Sequence, residues 1–185
     1  MSEAPRIETL YDAIERLPEG VVGEIIDGQL HTHPRPAGPH INAEALLLTD
    51  LAGPFYRGRG GPGGWRILAE PELHFVRNTE ILVPDIAAWR RERLPEVPAD
   101  QRFEVVPDWV CEVLSPSTAS TDREIKMPAY ARHGVAHAWL VDPIAQRIEA
   151  YARDGADWER IGTFEGTREV RVAPFTEVDV PTPWA

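Results

Sequence analysis

Two carboxylates stand where the surrounding pattern calls for apolar side chains. Asp85 lies in Ile81-Leu82-Val83-Pro84-Asp85-Ile86-Ala87, and Glu112 in Trp109-Val110-Cys111-Glu112-Val113-Leu114-Ser115. Both stretches read as buried strands, because a strand covered on both faces is a near-continuous hydrophobic run. An isolated charge inside such a run is too costly, so each acid must be paired, protonated or bound to a cation. Side chains alternate faces along a strand, which groups Glu112 with Val110 and Leu114, and Asp85 with Val83 and Ala87. On neighbouring strands the two acids would converge on one divalent cation. Mg²⁺ takes hard oxygen ligands, commonly one or two carboxylates plus waters and substrate phosphate. Metal-assisted phosphoryl hydrolysis is the chemistry such a pair suits.

A basic partner follows. Lys126 is the only lysine among nineteen basic residues. A bias toward arginine explains the composition. The position is another matter, because a compact ammonium orients a water in a way that Arg does poorly. Asp122, Lys126 and Tyr130 recur every fourth residue and share one helix face. The pair Asp122–Lys126 is either an exposed ion pair worth about 0.3–0.5 kcal/mol or a device that aims the lysine into the site. Thr121 with Glu124 reads as a capping box at the helix start, and Pro128 should kink the helix by removing a backbone donor.

Pro84-Asp85, then Glu112, then a nearby basic residue resembles the PD-(D/E)XK restriction-endonuclease-like superfamily. In its common motif the lysine sits two residues after the second acid. Leu114 occupies that position here, and Lys126 matches a known variant with the lysine on the next helix. The run from Val110 to Pro143, with Glu112-Val113-Leu114-Ser115, Asp122, Lys126, Tyr130 and Trp139-Leu140-Val141-Asp142-Pro143, is similar to a bacterial restriction-endonuclease family formerly catalogued as a domain of unknown function. Glu24-Ile25-Ile26-Asp27-Gly28 and His40 extend the resemblance over most of the chain.

The resemblance implies an α/β fold with a mixed central β-sheet flanked by helices, and a DNA endonuclease. Asp85 and Glu112 with the Val113 carbonyl would hold Mg²⁺ or Mn²⁺, Lys126 would assist the water, and Glu24, His40, Asp122 and Tyr130 would support them. Glu24 and Glu44 compete for the role of a third acid. Glu24 fits a solvated strand position equally well, and His40 fits local packing as well as phosphate contact.

The elements that must position these groups follow from periodicity and punctuation. Residues 7–17 have amphipathic helical spacing, and residues 21–33 form a hairpin over Asp27-Gly28. A proline-rich connection (34–39) leads to a helix over 41–51 with Ala45, Leu48 and Leu51 inward. Residues 58–63 match G-x-G-x-x-G, but Pro62 and the strand pattern that follows rule out a dinucleotide site. They read as a flexible loop beside the sheet. Strands follow over 65–68 and 72–76, a polar surface stretch over 90–107, a strand over 137–141, a hairpin across 154–157, and a segment over 170–180 that closes the fold. His31-Thr32-His33 lacks a third zinc ligand at suitable spacing.

At 185 residues and 43% hydrophobic, the chain reads as a single nuclease-like domain over 1–185. No apolar run approaches the roughly 18 residues of a membrane span. With no secretory pattern and only Cys111, a cytoplasmic location is the expectation. A serine or cysteine hydrolase is disfavoured by the lack of Gly-x-Ser-x-Gly and by the place of Cys111 inside a strand. The net charge of −11 opposes unaided clamping of DNA, which calls for a local basic patch such as Arg57, Arg59 and Arg66, a partner, or a homodimer. The same charge, together with Leu114, supports a rival reading: a catalytically inactive nuclease-like binding or regulatory module.

Overall fold

The computed structural model describes residues 9–34 and 38–185. Helix α1 (Leu10–Ile14) starts at a capping box between Thr9 and Asp12. It is shorter than the 7–17 helix expected, and Ile7 lies outside the described residues. Strands β1 (Val21–Ile26) and β2 (Gln29–Pro34) pair antiparallel with Ile26 opposite Gln29. Asp27 and Gly28 both take positive φ, at 51° and 72°, as the tight hairpin turn requires.

Helix α2 (Pro39–Leu51) buries His40, Ala43, Leu47 and Leu51. The expected inner face, with Ala45 and Leu48, is thus corrected: Ala45 is exposed and Leu48 only half-buried. The true stripe runs through residues 40, 43, 47 and 51, because His40 and Glu44 turn toward the sheets rather than to water. A π-turn over Ala52–Tyr56 extends α2.

Among the described residues the strands form two large sheets and a terminal hairpin rather than one central sheet. The first runs β2-β1-β5-β4-β7, with β4 (Glu72–Val76), β5 (Glu80–Leu82) and β7 (Arg102–Phe103). The second runs β11-β10-β9-β8-β6-β3, with β3 (Trp65–Ala69), β6 (Ile86–Arg90), β8 (Trp109–Val113), β9 (His137–Asp142), β10 (Arg147–Asp154) and β11 (Asp157–Glu165). It is mixed, since β8 pairs antiparallel with β6 and parallel with β9. Strands β12 (Glu169–Val172) and β13 (Phe175–Pro181) make the hairpin.

Strand alternation sorts the two cores. Trp109, Cys111 and Val113 of β8 face a core built with α2 and the terminal hairpin, where Phe175 packs within 4.7–5.7 Å of Phe55, Trp65, Trp109 and Trp139. Truncating a buried Phe of this kind costs about 3–5 kcal/mol. Val110 and Leu114 face the second core, shared with Leu73 and Leu82 of the first sheet and Met127, Ala129 and Tyr130. Glu112 lies between Val110 and Leu114 on that second face.

The 119–132 helix is composite: α3 (Ala119–Thr121), a π-turn (Asp122–Lys126) and α4 (Met127–Arg132). The predicted capping box at Thr121 and Glu124 is absent, because the helix already begins at Ala119 and Thr121 makes no side-chain cap. Pro128 explains the π-turn. Its ring would clash with the carbonyl four residues back and it donates no hydrogen bond. Widening the turn, with Met127 N–H reaching Asp122 O, relieves both.

Candidate active site

The run 81–87, read from sequence as one strand, is broken. Strand β5 ends at Leu82 in the first sheet and β6 starts at Ile86 in the second, so Asp85 sits at the corner where the chain changes sheets. Buried Pro84 is the cause, since proline cannot donate to a ladder. The corner frees the backbone of Val83. Its N–H donates to Glu24 Oε1 (2.7 Å), and its carbonyl accepts from Lys126 Nζ (2.9 Å).

Lys126 Nζ also lies 3.0 Å from Glu24 Oε1 and 2.9 Å from Glu112 Oε1. Tyr130 donates to the same Glu112 oxygen at 2.5 Å. Glu24, Glu112, Asp122, Lys126 and Tyr130 are all buried. The sequence reading of Asp122, Lys126 and Tyr130 as one inward face, and of Glu24 as pointing to the site, matches this arrangement. Of the alternatives, an exposed Asp122–Lys126 pair and a solvated Glu24 do not fit, since all three are buried.

Asp85 is held separately. Val113 N–H donates to its Oδ2 (2.6 Å), and His40 Nε2 lies 2.9 Å from its Oδ1. Val113 thus meets Asp85 through its amide, while its side chain fills the opposite core. Ligand atoms of His40, Glu44 and Asp85 lie within 4.8 Å of one another. The two rival third acids therefore both reach the site with different partners: Glu44 beside Asp85, Glu24 beside Lys126. Helix α2 supplies His40 and Glu44 one turn apart on one side. Leu114, where the common motif has lysine, is buried in the second core.

The charges do not balance. Burial pushes the Glu112 carboxyl well up; Lys126 opposes this, but nearby Asp122, Asp85 and Glu24 add to it. Burial likewise raises Asp122 to about 6 against the pull of Lys126. Glu44 rises to about 7 through burial and the charges of Asp85 and Glu70. Glu24 goes the other way: burial would raise it, but Lys126, His33 and the Val83 amide hold it at about 2. Burial would lower Lys126, yet Glu112 and Glu24 keep it firmly charged. Burial would also lower His40, but Asp85 more than offsets it. A buried carboxylate excess around one ammonium is an environment short of positive charge.

Glu24, His40, Asp85, Glu112, Asp122 and Lys126 line a cavity of about 440 Å³ at the seam of the two sheets. Its wall includes residues that sequence reasoning missed: Glu70, and the 115–118 loop with Thr118, which bonds Asp122. Glu70 takes φ 45° and its N–H donates to Asp85 O. Nothing in its local pattern separates it from a turn residue. His31 and His33, read as a weak zinc signal, line the same cavity, with His33 Nε2 3.6 Å from Glu24 Oε2.

Comparison with known proteins decides the family. The model of the Uma2 family, described as putative restriction endonuclease, matches residues 9–182. The chain belongs to the Uma2 family. Its fold is similar to the crystal structure of a putative nuclease of DUF820 from Anabaena variabilis, with a TM-score of 0.69 and 24% identity over 91% of this chain and 93% of that one. No curated protein matches the chain. The expected α/β, restriction-endonuclease-like class agrees with this neighbour, the expected central sheet being divided here into two mixed sheets flanked by few helices. No helix among the described residues is long and apolar enough to cross a membrane.

Proposed function

We propose that this Uma2 protein is a divalent-metal-dependent endonuclease that hydrolyses DNA phosphodiester bonds in the cavity at the sheet seam. The observation that carries the reading is Lys126 Nζ, the sole lysine amine of the chain, fixed between Glu24 and Glu112 beside the Asp85–His40 pair. The donors suit a hard cation. Asp85, Glu44 and His40 cluster closely; among the described residues buried His40 Nδ1 has no hydrogen-bond partner, and Glu24 Oε2 makes no hydrogen bond, with His33 Nε2 3.6 Å away. A carboxylate-rich set with one imidazole suits Mn²⁺ as well as Mg²⁺.

Asp85, Glu44 and His40 would hold the ion, with Glu112 and the Val113 carbonyl as further oxygen donors. A bound ion supplies Lewis-acid polarisation of the scissile phosphate and a more acidic water. The chain's own residues do the rest. Val113 N–H anchors one Asp85 oxygen and leaves the other toward His40. Tyr130 fixes the Glu112 rotamer. Glu24 and the Val83 carbonyl keep the Lys126 ammonium charged and aimed at the cavity, where it orients the water or offsets charge developing on the phosphate oxygens.

Supercoiled plasmid incubated with Mg²⁺ or Mn²⁺ should be nicked and linearised, and EDTA should stop it. Asp85→Ala and Glu112→Ala should abolish the cutting. Variants that cut as fast as the parent sink the proposal. The second reading, an inactive nuclease-like binding or regulatory module, draws support from Lys126 itself: Val83 O, Glu24 and Glu112 occupy the three N–H groups its ammonium has. Calorimetry separates the two. A Glu112-dependent heat on adding Mn²⁺ belongs to the enzyme, and no heat to the module.

A further inference from the structure

We infer that an arginine cluster at the far end of β3 and β6 holds the sugar-phosphate backbone of the nucleic acid on which the site acts. The inference deepens the nuclease reading and rests on it. Tyr56, at the end of the α2 extension, is ringed by cations: the guanidinium carbons of Arg57, Arg66 and Arg91 lie 5.9, 5.9 and 5.6 Å from its ring centre. Arg91 donates to Tyr56 O (2.8 Å), and Arg66 donates to Pro95 O (2.5 Å). Those acceptors are neutral carbonyls, so they fix the direction of each guanidinium without cancelling its charge. Among the described residues of this neighbourhood, Arg93 is the arginine tied to an acid, Asp108 at 2.6 Å. Exposed Arg59 adds a further charge from the glycine loop.

In a chain of net charge −11 this is a local reversal. Residues 52–69 carry three arginines and no acid. Three like charges crowded round one ring repel one another unless an anion lies against them, and a row of phosphates supplies that anion repeatedly. The ring face is already taken by guanidinium groups, so the cluster suits backbone contacts rather than base stacking.

The geometry connects it to the site. Strands β3 and β6 pair from Trp65–Arg90 to Ala69–Ile86, so Arg91 lies roughly 20 Å along the strand from the Asp85 corner at about 3.3 Å per residue. With one phosphate per strand every 3.4 Å of duplex axis, that is about six nucleotides from the scissile bond. Arg66 alternates with core-facing Trp65 and Ile67 and so shares the sheet face of Glu112.

Anisotropy of a labelled DNA duplex of about two turns, titrated in EDTA across a KCl series, tests the inference. Arg57→Ala/Arg59→Ala should flatten the log–log salt dependence by about 1–2 and weaken binding about tenfold near 0.1 M salt. The control Arg153→Ala/Arg160→Ala makes the same charge change on β10 and β11, at the opposite edge of the sheet, and should leave both unchanged. Equal losses in the two double variants, an unchanged slope in the first, or no DNA binding by the parent would overturn the inference. So would an Arg57/Arg59-dependent affinity for poly-glutamate with DNA binding unaltered, which would assign the cluster to an acidic protein. If the slope falls as expected but the parent never cuts plasmid with metal, the cluster stands and the nuclease reading falls.

Discussion

Glu112 and Glu149 are alike in their setting but differ in depth, Glu112 being the more deeply buried, and in charge balance. Both are buried on strands of the same sheet. Each accepts a short bond from a tyrosine, 2.5 Å from Tyr130 and 2.6 Å from Tyr151. Each meets a cation from the same composite helix, Lys126 or Arg123. Glu149, however, faces two arginines: Arg123 in a bidentate pair (2.8 and 2.9 Å) and Arg147 at 3.1 Å, the latter shared with Glu165 at 3.7 Å. Those hydrogen bonds hold its carboxyl at about 2 against burial. Glu112 shares one ammonium with Glu24 while Asp122 and Asp85 stand close, and it is pushed upward instead. A closed set of this kind fastens the helix to the sheet. An acid-rich one is left short of positive charge, a deficit that protonation of its carboxyls or the divalent ion proposed above would relieve.

Breaking the acid-rich side should have the largest effect. Lys126→Met should slow metal-dependent cleavage about 10²–10³-fold and cost the metal-free protein about 3–5 kcal/mol in denaturant unfolding, because Glu24 and Glu112 lose their shared counter-charge. Parental cleavage by this variant would remove the amine from the chemistry.

Metal offers the next contrast. Adding Mn²⁺ at a hundred times its dissociation constant should stabilise the parent by about 2.7 kcal/mol, read as a rise in Tm. The rise should shrink in His40→Ala and Glu44→Gln and persist in Glu149→Gln.

Without metal the same two glutamines should act in opposite directions. Glu44→Gln removes surplus negative charge and should raise Tm by about 2–4 °C, roughly 1 kcal/mol. Glu149→Gln opens a matched set and should lower stability by about 1–2 kcal/mol, since its arginines can still reach water. Shifts of the same sign would erase the distinction between the clusters.

The smallest effect is in acid. Because the folded carboxyl of Glu149 sits below its ordinary value of 4.5, at about 2, its contribution is complete above pH 4.5 and is lost as the pH falls toward 2. A plot of stability against pH should therefore be shallower in Glu149→Gln than in the parent across that window.

Much of this was legible in the sequence where a local rule decides. The Asp27-Gly28 hairpin, the Trp109–Val113 strand and the 122–126–130 face all follow from periodicity and turn chemistry, and all three appear. The break at Val83 to Asp85 was hidden because its cause is tertiary: an unbroken apolar run cannot reveal that its halves join different sheets. The face of α2 was misread because apolar periodicity does not count the polar His40 and Glu44 that its inward side carries. The arginine shell around Glu149 was equally invisible, since Arg123, Arg147 and Glu149 meet only across a strand and a helix.

The corner at Val83 has a consequence for how this protein can be divided. The groups contributed before it (Glu24, His40, Glu44, Glu70) belong to one fragment, and those after it (Asp85, Glu112, Asp122, Lys126, Tyr130) to the other. A polypeptide nicked there would carry half of the proposed site in each piece, so any nuclease activity it regained would count reassembled molecules one by one.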